Sequence, residues 1–548
     1  MTRPPPGIGP PSGFRGTFRT DPAARGVYSE AAGIGRALPL AVAVPQDADD
    51  VALIVKWARD SGLAVIPRGS GSSMAGGAIG AGVVMDLSRL RELGEPGEDG
   101  RSIRAGAGIL RGELHRRAMA AGLRFPVDPS SGEFCTIAGM AATNAAGPHT
   151  LRHGSMRPWV LALDCVFEDG SRATIRRGEK PPASVEPVAR FLRDAHGRLL
   201  DGRRSAASHA AVMKDSSGYA ISTYAQTMEL VDLLVGSEGT LALFTAVEVA
   251  LIPLASSTAS VFVSFRELEA AVEAAVEARE HGASACELLD RTFLRIAAGA
   301  GKPLPVAQDA EAALLIEVES DAPTGEAGAK ATADRLQARL QRLGAANSIV
   351  SVGPAHEAEL WSFRHAASPA IARMDPALRS MQFIEDAAVP PAALAEYVRG
   401  IRAILERNDT AGVIFGHAGD AHVHVNPLLD VARTDWRERV ERILLEGTDL
   451  VSRLGGTTSG EHGDGRLRTP LMERVWSREE LARFALVKKA FDPGNVLNPG
   501  VKVPAPGQKA IDIVKYDPNL EALAPEARQA LETVERERAY ARFRLDML

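Results

Sequence analysis

Cysteine is scarce in this chain, and its scarcity excludes several classes of protein. The 548 residues include three cysteines, Cys135, Cys165 and Cys286, which lie far apart and form no CxxC pair. A disulfide framework, a cysteine zinc site and an iron–sulfur cluster of about four thiolates are therefore excluded within this chain. This cysteine usage predicts a protein of a reducing compartment.

Long apolar runs and basic clusters are also missing. No stretch of about 20 apolar residues is present that would span a bilayer, and residues 1–6 lack the apolar core of a signal peptide. The 63 Lys and Arg residues against 69 Asp and Glu residues give a net charge of −6 without lysine-rich blocks, which argues against a nucleic-acid partner. We expect a cytoplasmic protein, with peripheral attachment to the inner membrane as the alternative.

Residue patterns divide the chain into four parts. Residues 1–36, rich in Pro, Gly and Arg, predict an extended arm. Residues 37–255 alternate helical and strand patterns, such as a helix over 47–61, whereas residues 256–500 combine strands with long alanine-rich helices. Residues 501–548 contain a Pro-rich linker and then a charged helix. The whole is predicted to be α+β, with an antiparallel sheet flanked by helices in the second domain.

Glycine is abundant, at 52 residues, and four segments concentrate it. The first, residues 67–77, reads PRGSGSSMAGG and follows a predicted strand over 63–67. Glycine permits positive φ and leaves successive N–H groups unshielded, so such a loop can wrap a pyrophosphate. The loop matches neither the Rossmann nor the P-loop fingerprint. Taken alone, it is equally consistent with a tight, exposed turn.

The other glycine-rich segments cover residues 126–155, 214–219 and 234–240. Small residues let a planar ligand approach the backbone, although the same composition also suits close helix packing. In this order and spacing, the four segments resemble the FAD-binding domain of the vanillyl-alcohol oxidase/p-cresol methylhydroxylase (PCMH) superfamily over residues 45–253. The resemblance implies a PCMH-type FAD-binding domain of two subdomains, covered by a cap domain. Since no residue clearly matches the linking histidine of that family, we expect non-covalent FAD.

The resemblance also implies which residues hold FAD. Residues 67–73 would bind the pyrophosphate, and small residues after Thr136 would line the flavin and its ribityl chain. The full predicted set is Pro67, Arg68, Gly69, Ser70, Gly71, Ser72, Ser73, Pro129, Thr136, Gly139, Asn144, Gly147, Gly154, Glu238, Gly239 and Asn498.

Histidine and carboxylate residues are concentrated in two short stretches, residues 416–426 and 459–465. Neutral imidazoles and carboxylates are the ligands that Zn²⁺ or Mn²⁺ selects. His422 and His424 share one face of a strand, whereas His417 needs a turn at residues 419–420 to join them. A lone histidine here would more often be structural, but two such loops favour a functional site.

These two stretches carry a second resemblance. The HxGDxxxH pattern of residues 417–424, followed by EHG at 461–463, resembles the FAD-linked oxidase C-terminal domain. That domain occurs in D-lactate and D-2-hydroxyglutarate dehydrogenases and in glycolate oxidase subunits. By position, the resemblance implies roles for these residues: metal ligands His417, His424 and Glu461, catalytic base His462, and substrate contacts Arg364, Asn426 and His462.

Two departures from that pattern concern the same site. Many relatives have Asn where this chain has His422, which we expect to be an extra metal ligand or a supporting hydrogen-bond donor. Around residues 382–390 the chain lacks a lysine that helps some relatives hold a second substrate carboxylate, and Arg379 could substitute for it.

The resemblance implies FAD-dependent oxidation of a D-2-hydroxy acid of the D-lactate, D-2-hydroxyglutarate or glycolate type, assisted by Zn or Mn. Without a cluster of its own, the chain needs an external electron acceptor: a quinone, a cytochrome, an electron-transfer flavoprotein or a separate iron–sulfur subunit. A homodimer is considered as well. The alternatives are an oxygen-using oxidase of a hydroxy acid or alcohol, a metal-dependent hydrolase built on the histidine cluster, and a non-catalytic FAD-binding subunit.

Overall fold

The computed structural model describes residues 8–97, 100–201, 209, 211–299, 306–320, 325–353, 356–362, 364 and 377–548. In chain order, its strands are β1 Thr17–Arg19, β2 Ala41–Val44, β3 Val65–Arg68, β4 Val83–Asp86, β5 Ser102–Gly106, β6 Leu123–Arg124, β7 Val160–Val166, β8 Arg172–Arg176, β9 Leu243–Ala250, β10 Ile252–Pro253, β11 Ser257–Phe265, β12 Ala283–Asp290, β13 Ala312–Ser320, β14 Ala346–Val352, β15 Leu378–Ser380, β16 Ala387–Ala388, β17 Ala411–His417 and β18 His422–Asp430. Its α-helices are α1 Pro22–Val27, α2 Ala48–Asp60, α3 Arg111–Met119, α4 Ile137–Thr143, α5 Thr150–His153, α6 Glu186–Phe191, α7 Gly197–Asp201, α8 Ile221–Thr227, α9 Leu230–Leu234, α10 Leu268–Glu280, α11 Arg291–Gly299, α12 Gly325–Arg342, α13 Leu394–Arg407, α14 Trp436–Arg453, α15 Gly465–Arg468, α16 Met472–Val475, α17 Arg478–Phe491 and α18 Pro525–Glu537.

The N-terminal half contains two four-stranded sheets, in agreement with the two subdomains that the resemblance implies. In the first sheet, β4 lies between β2 and β3 and runs parallel to both, while β1 is antiparallel to β2. The second has the order β5-β9-β7-β8 and is antiparallel throughout. Strands β2 and β4 are buried on both faces, which fits their continuous apolar sequences.

Helix α2 shows why this half follows its local sequence closely. Asp47 caps the helix by accepting two backbone N–H groups of the first turn, at 3.0 and 3.1 Å. The buried residues recur at helical spacing and include Val51, Ile54 and Val55. The chain then forms β3 and enters residues 69–77, so a buried strand positions the glycine-rich loop.

The N-terminal residues differ from the extended arm expected over 1–36. Strand β1 pairs with β2, α1 follows, and Val27 and Tyr28 are fully buried. These two residues share an apolar core with the first sheet and with α18. The partners are remote in sequence, so the Pro- and Gly-rich composition does not reveal them. Residues 1–7 of the expected arm lie outside the described residues.

A large antiparallel sheet forms the C-terminal half, as the strand and helix patterns predict. Its strand order is β14-β11-β13-β12-β17-β18-β15, and β16 also pairs with β18. Alternate residues of these strands belong to two separate cores. Helices α10, α12, α13 and α14 contribute to the core on one face. On the other face, α11 packs near Phe262 and Phe415, and this face also carries the histidine cluster.

Beyond this sheet, the charged helix expected within 501–548 is present as α18, and it packs against α1. The domain boundaries after residues 36, 255 and 500 stay predictions. Within the described ranges, every helix is too short or too polar to cross a membrane.

Candidate active site

The β17–β18 hairpin brings the histidines to one face. A single 3₁₀ turn, Ala418–Asp420, followed by Ala421 at φ +53°, separates the two strands. Phe415 of β17 lies opposite His424 of β18. Because side chains alternate along each strand, His417 and His424 project to the same side of the sheet. The turn that the sequence requires between them is therefore present.

Three imidazoles converge on the carboxylate of Glu461. His417 Nε2 and His424 Nε2 each lie 3.5 Å from Glu461 Oε1, and His422 Nδ1 lies 3.9 Å from Oε2. One nitrogen of each ring and one carboxylate oxygen all fall within 4.8 Å of one another. Among the described residues, His422 Nδ1 has no hydrogen-bond partner although the ring is fully buried. This donor set has the chemistry and spacing that a divalent cation requires.

The opposite nitrogens of these rings are held by other groups. His417 Nδ1 is 2.5 Å from Glu287 Oε1, and His422 Nε2 is 3.0 Å from Asp386 Oδ1. His424 Nδ1 donates to the backbone oxygen of Glu385 at 2.8 Å. Such partners fix ring orientation and tautomer, which leaves the other nitrogen available to a metal.

Buried charges shift the pKa values of Glu461 and His417 toward their ionised forms. Burial raises the pKa of Glu461, but the positive charges of Lys214 and His417 outweigh it and hold that pKa well below its usual range. Lys214 Nζ lies 3.4 Å from Glu461 Oε2 and 3.0 Å from Asp420 Oδ2. Burial lowers the pKa of His417, yet Glu287 raises it more strongly, to about 9.

His462 is the most accessible histidine of the cluster. Its side chain is 26% exposed, and its ring stacks on that of His424 with 5.4 Å between centroids. Nδ1 lies 3.1 Å from Glu385 Oε1, and the backbone N–H donates to Asp386 at 2.9 Å. Burial lowers the pKa of His462, whereas Asp386 and Glu385 raise it, to about 9. Nδ1 is thus anchored, and Nε2, 3.5 Å from Glu461, is the nitrogen on the cluster side.

Arg364 adds a positive charge beside the cluster. Its Nε donates to Glu287 Oε2 at 2.6 Å, and its guanidinium lies over the ring of Phe415 at 4.9 Å. Glu287 therefore holds both Arg364 and His417. Burial raises the pKa of Glu287, but the charges of His417 and Arg364 outweigh it and keep the pKa far below its usual range.

A cavity of about 1150 Å³ joins this cluster to the glycine-rich loop. At one end its wall includes Arg364, His424, Asn426, Glu461 and His462. Elsewhere the wall contains these residues of the predicted FAD set: Pro67, Arg68, Gly69, Ser70, Gly71, Ser72, Ser73, Pro129, Thr136, Gly139, Glu238 and Gly239. The volume exceeds the roughly 300–1,000 Å³ of most small-molecule sites, as a dinucleotide together with a substrate would require.

Glycine is required where the loop turns along this cavity. Gly71 has φ +76°, and a Cβ there would overlap the guanidinium of Arg68. A Cβ at Gly69 would overlap the hydroxyl of Thr136. The backbone of the loop is consequently exposed to the cavity, as expected for a cradle around a phosphate.

Comparison with known proteins identifies the family. A family model described as FAD binding domain matches residues 39–176, and one described as FAD linked oxidases, C-terminal domain, matches residues 254–501. The D-lactate dehydrogenase of Archaeoglobus fulgidus is 30% identical over 84% of this chain and 90% of its own length. The chain belongs to the FAD-linked oxidase family.

Two further similarities agree with that assignment. Glycolate oxidase subunit GlcD of Bacillus subtilis is 29% identical over 88% of this chain and 93% of its own length. Among solved structures, an alkyldihydroxyacetonephosphate synthase has a TM-score of 0.61 at 14% identity, covering 88% of this chain and 82% of that one. That likeness concerns the fold, and it confirms the PCMH-type α+β architecture. The FAD-binding domain likewise confirms FAD as the cofactor.

Four residues of the predicted FAD set are not part of the described cavity wall: Asn144, Gly147, Gly154 and Asn498. Asn144 ends α4 in the left-handed region and accepts a hydrogen bond from Arg157 N at 2.9 Å. The Asn498 amide donates to the backbone oxygens of Gly77 and Glu238, so it ties two loops of the cavity together.

Arg68 also has a different environment from the one its place in the set implies. Its guanidinium is buried and donates to the backbone oxygen of Glu30 at 2.9 Å and of Tyr28 at 3.4 Å. The side chain thus fixes the N-terminal segment to the loop, while Arg68 as a residue borders the cavity.

Sequence reasoning missed the residues that support the histidines. Asp386 and Glu385 pair with Arg468 and with the cluster, and both lie within residues 382–390, where the sequence pattern assigns them no role. Lys214 lies in a glycine-rich segment, which was a usable signal. Glu287 belongs to no recognisable sequence motif. Only its position opposite His417 in the β12–β17 ladder reveals it.

Proposed function

We propose that this protein oxidises a D-2-hydroxy acid to the 2-oxo acid, with FAD as the electron acceptor. The observation that carries the proposal is the continuous cavity, which joins a backbone cradle for a phosphate to a cationic and histidine-rich cluster. The names of the relatives, a D-lactate dehydrogenase and a glycolate oxidase subunit, support the substrate class. FAD, when bound, supplies the acceptor of a hydride from the substrate carbon.

Arg364 and Asn426 bind the substrate in this proposal. The guanidinium of Arg364 borders the cavity and is held by Glu287, so its charge is fixed in direction before a substrate arrives. A planar guanidinium suits a carboxylate because two N–H groups can donate in parallel. Arg379 borders the same end and extends the positive charge toward a longer, dicarboxylic acid.

A divalent cation, Zn or Mn, is held in this proposal by His417, His424 and Glu461. Nδ1 of buried His422 has no hydrogen-bond partner in the described part of the chain, which points to a fourth protein ligand, and Asp386 holds the far side of its ring. When bound, the cation supplies positive charge that stabilises negative charge developing on substrate oxygens.

His462 removes the hydroxyl proton at Nε2. Glu385 holds Nδ1, so the ring is oriented with Nε2 toward the cluster. Without a cation, the surrounding carboxylates raise the pKa of His462 to about 9, which favours the protonated ring at neutral pH. With a cation held at the adjacent Glu461, its positive charge would oppose those carboxylates, so that the pKa of His462 would fall toward the range of a general base.

The electrons then leave to an external acceptor. The three cysteines of the sequence are buried at separate positions and serve no cluster. A quinone, a cytochrome, an electron-transfer flavoprotein or an iron–sulfur subunit can fill this role, and the cytoplasmic location and the homodimer stay predictions.

Anaerobic bleaching of the flavin band tests the proposal. The protein, loaded with FAD and with Zn²⁺ or Mn²⁺, is mixed with D- and L-lactate, D- and L-2-hydroxyglutarate, D- and L-malate, and glycolate. We expect bleaching by glycolate or by at least one D acid, and not by its L enantiomer. Failure of every acid with the metal present would refute the substrate class.

A colourless protein that hydrolyses esters would favour the hydrolase alternative, and rapid reoxidation of the reduced flavin by oxygen would favour an oxidase.

A further inference from the structure

The C-terminal segment, residues 511–548, follows the part of the chain that the family models match, which ends at residue 501. Yet residues of this segment border the large cavity, among them Tyr516, Arg538 and Tyr540. We propose that residues 516–544 form the wall of the FAD site around its adenosine end. The inference rests on FAD as the cofactor and does not depend on the substrate proposed above.

The segment is firmly packed against the FAD-binding domain. Ala527 and Ala530 of α18 are buried in one core with Val27 and Tyr28 of the N-terminal region. At the contact with α1, a Cβ added to Gly26 would lie 2.7 Å from Ala527 Cβ, so the two helices approach as closely as side chains allow. The segment is therefore a fixed part of the cavity wall.

Hydrogen bonds connect the glycine-rich loop to this segment by two routes. Directly, Arg544 Nη2 donates to the backbone oxygen of Ser70 at 3.2 Å. Through the N-terminal residues, Ala32 N donates to Gly71 O at 3.0 Å, and Lys515 N donates to Ile34 O at 2.7 Å. Residues 30–36 are thus held between the loop and the C-terminal segment.

The two ends of the loop show which part of FAD faces the segment. The Ser70 end adjoins Arg544, as described. The other end, at Gly77, adjoins the carboxylate of Glu238, which also accepts a hydrogen bond from the backbone N–H of Asp464, two residues after His462. With the pyrophosphate on the loop and the flavin beside His462, the remaining part of the dinucleotide, its adenosine, extends toward the C-terminal segment.

The side chains there suit a purine. The rings of Tyr540 and Phe134 lie 5.3 Å apart, and the guanidinium of Arg538 lies 5.2 Å from the Phe134 ring. Aromatic faces next to a guanidinium are a common platform for bases, because both stack on a planar ring. The segment accordingly favours FAD over a flavin mononucleotide.

Flavin titration of the full-length apoprotein tests the proposal. Tyr540→Ala removes the ring, and Arg538→Gly removes the cation while tolerating the left-handed backbone of residue 538 (φ +53°). We expect each change to raise the Kd for FAD roughly tenfold. The Kd for FMN, followed by quenching of flavin fluorescence, should change less than twofold.

Matched variants complete the experiment. Tyr540→Phe keeps the ring and should bind FAD as the wild type does, and Arg528→Ala removes an exposed arginine of α18 that does not border the described cavity wall. Unchanged FAD binding in both Tyr540→Ala and Arg538→Gly would overturn the proposal. An equal loss of FAD and FMN would overturn it too, since it would indicate a structural role alone. No substrate is used, so failure of the proposed oxidation would leave this result unaffected.

Discussion

The two ends of the cavity differ in the groups that line them, which are mainly backbone at one end and charged side chains at the other. At the glycine-rich loop, backbone groups line the cavity, and the sequence contributes chiefly by omitting side chains at Gly69 and Gly71. At the histidine cluster, charged side chains from separate strands and loops neutralise one another in buried positions. Substitutions should therefore act by filling space at the glycine-rich loop and by changing charge at the histidine cluster.

The largest expected effect is at the charged end. We expect His462→Ala to slow anaerobic flavin reduction by the active hydroxy acid roughly 10²–10⁴-fold, the usual contribution of a general base. FAD content should stay unchanged, since the glycine-rich loop, which binds the pyrophosphate in our proposal, is left intact. His281→Ala, a partly exposed histidine whose Nδ1 contacts Glu277 O, is the matched control. Stopped-flow absorbance measures the rate, and an unchanged rate would remove His462 from the mechanism.

Asp386 should affect the metal without affecting the flavin. It lies 3.0 Å from His422 Nε2 and accepts the backbone N–H of His462. We expect Asp386→Asn to weaken binding of Zn²⁺ about 10–100-fold, as loss of a supporting carboxylate does. Competition with a chelating dye measures the affinity for Zn²⁺, and flavin absorbance measures the content of bound FAD. Asp430→Asn, at the end of the same strand as His422, should change neither quantity.

Substitutions at two glycines distinguish backbone strain from loss of the phosphate-binding loop. Gly62 and Gly71 have φ +66° and +76°, but no described atom lies within 4 Å of a Cβ at Gly62. Gly62→Ala should cost about 1–2 kcal/mol of unfolding free energy and retain FAD. Gly71→Ala should in addition weaken FAD binding on the order of tenfold. Equal FAD binding by the two variants would contradict the assignment of the loop to the phosphate.

The smallest effect concerns a histidine between the two halves. His149 Nδ1 lies 2.5 Å from Asp128, and Nε2 lies 2.7 Å from Glu317 of the large sheet. Burial lowers the pKa of His149, but these carboxylates raise it well above its usual value. Its stabilisation is therefore complete below about pH 6.5 and is lost as the pH rises through the higher pKa of the folded protein.

His149→Gln tests this linkage through thermal unfolding. The variant should lose about 1 kcal/mol at pH 6, the net value of a hydrogen bond, and less at alkaline pH. Flavin reduction should be unaffected in rate. A loss that is the same at every pH would show that the charge of His149 does not stabilise the contact.

Local patterns predicted much of the fold and part of the site. The capped helix α2, the loop after β3 and the turn between His417 and His424 all depend on residues close in sequence. Glu287 could not be predicted, because its role comes from lying opposite His417 in a ladder between strands 130 residues apart. The packing of Val27 and Tyr28, which lie within the arm expected over residues 1–36, could not be predicted for the same reason, since their apolar partners lie in α18 and in the first sheet.

The position of the C-terminal segment also has a consequence for biosynthesis. A ribosome adds residues in chain order, so both sheets of the N-terminal half and the large sheet are complete before residues 516–544 emerge. Until then the wall beside Ser70 lacks Arg544, and the core that holds Tyr28 lacks Ala527 and Ala530. With the adenosine wall proposed above, we expect tight capture of the cofactor only after residues 516–544 have been made, although the glycine-rich loop is synthesised long before them.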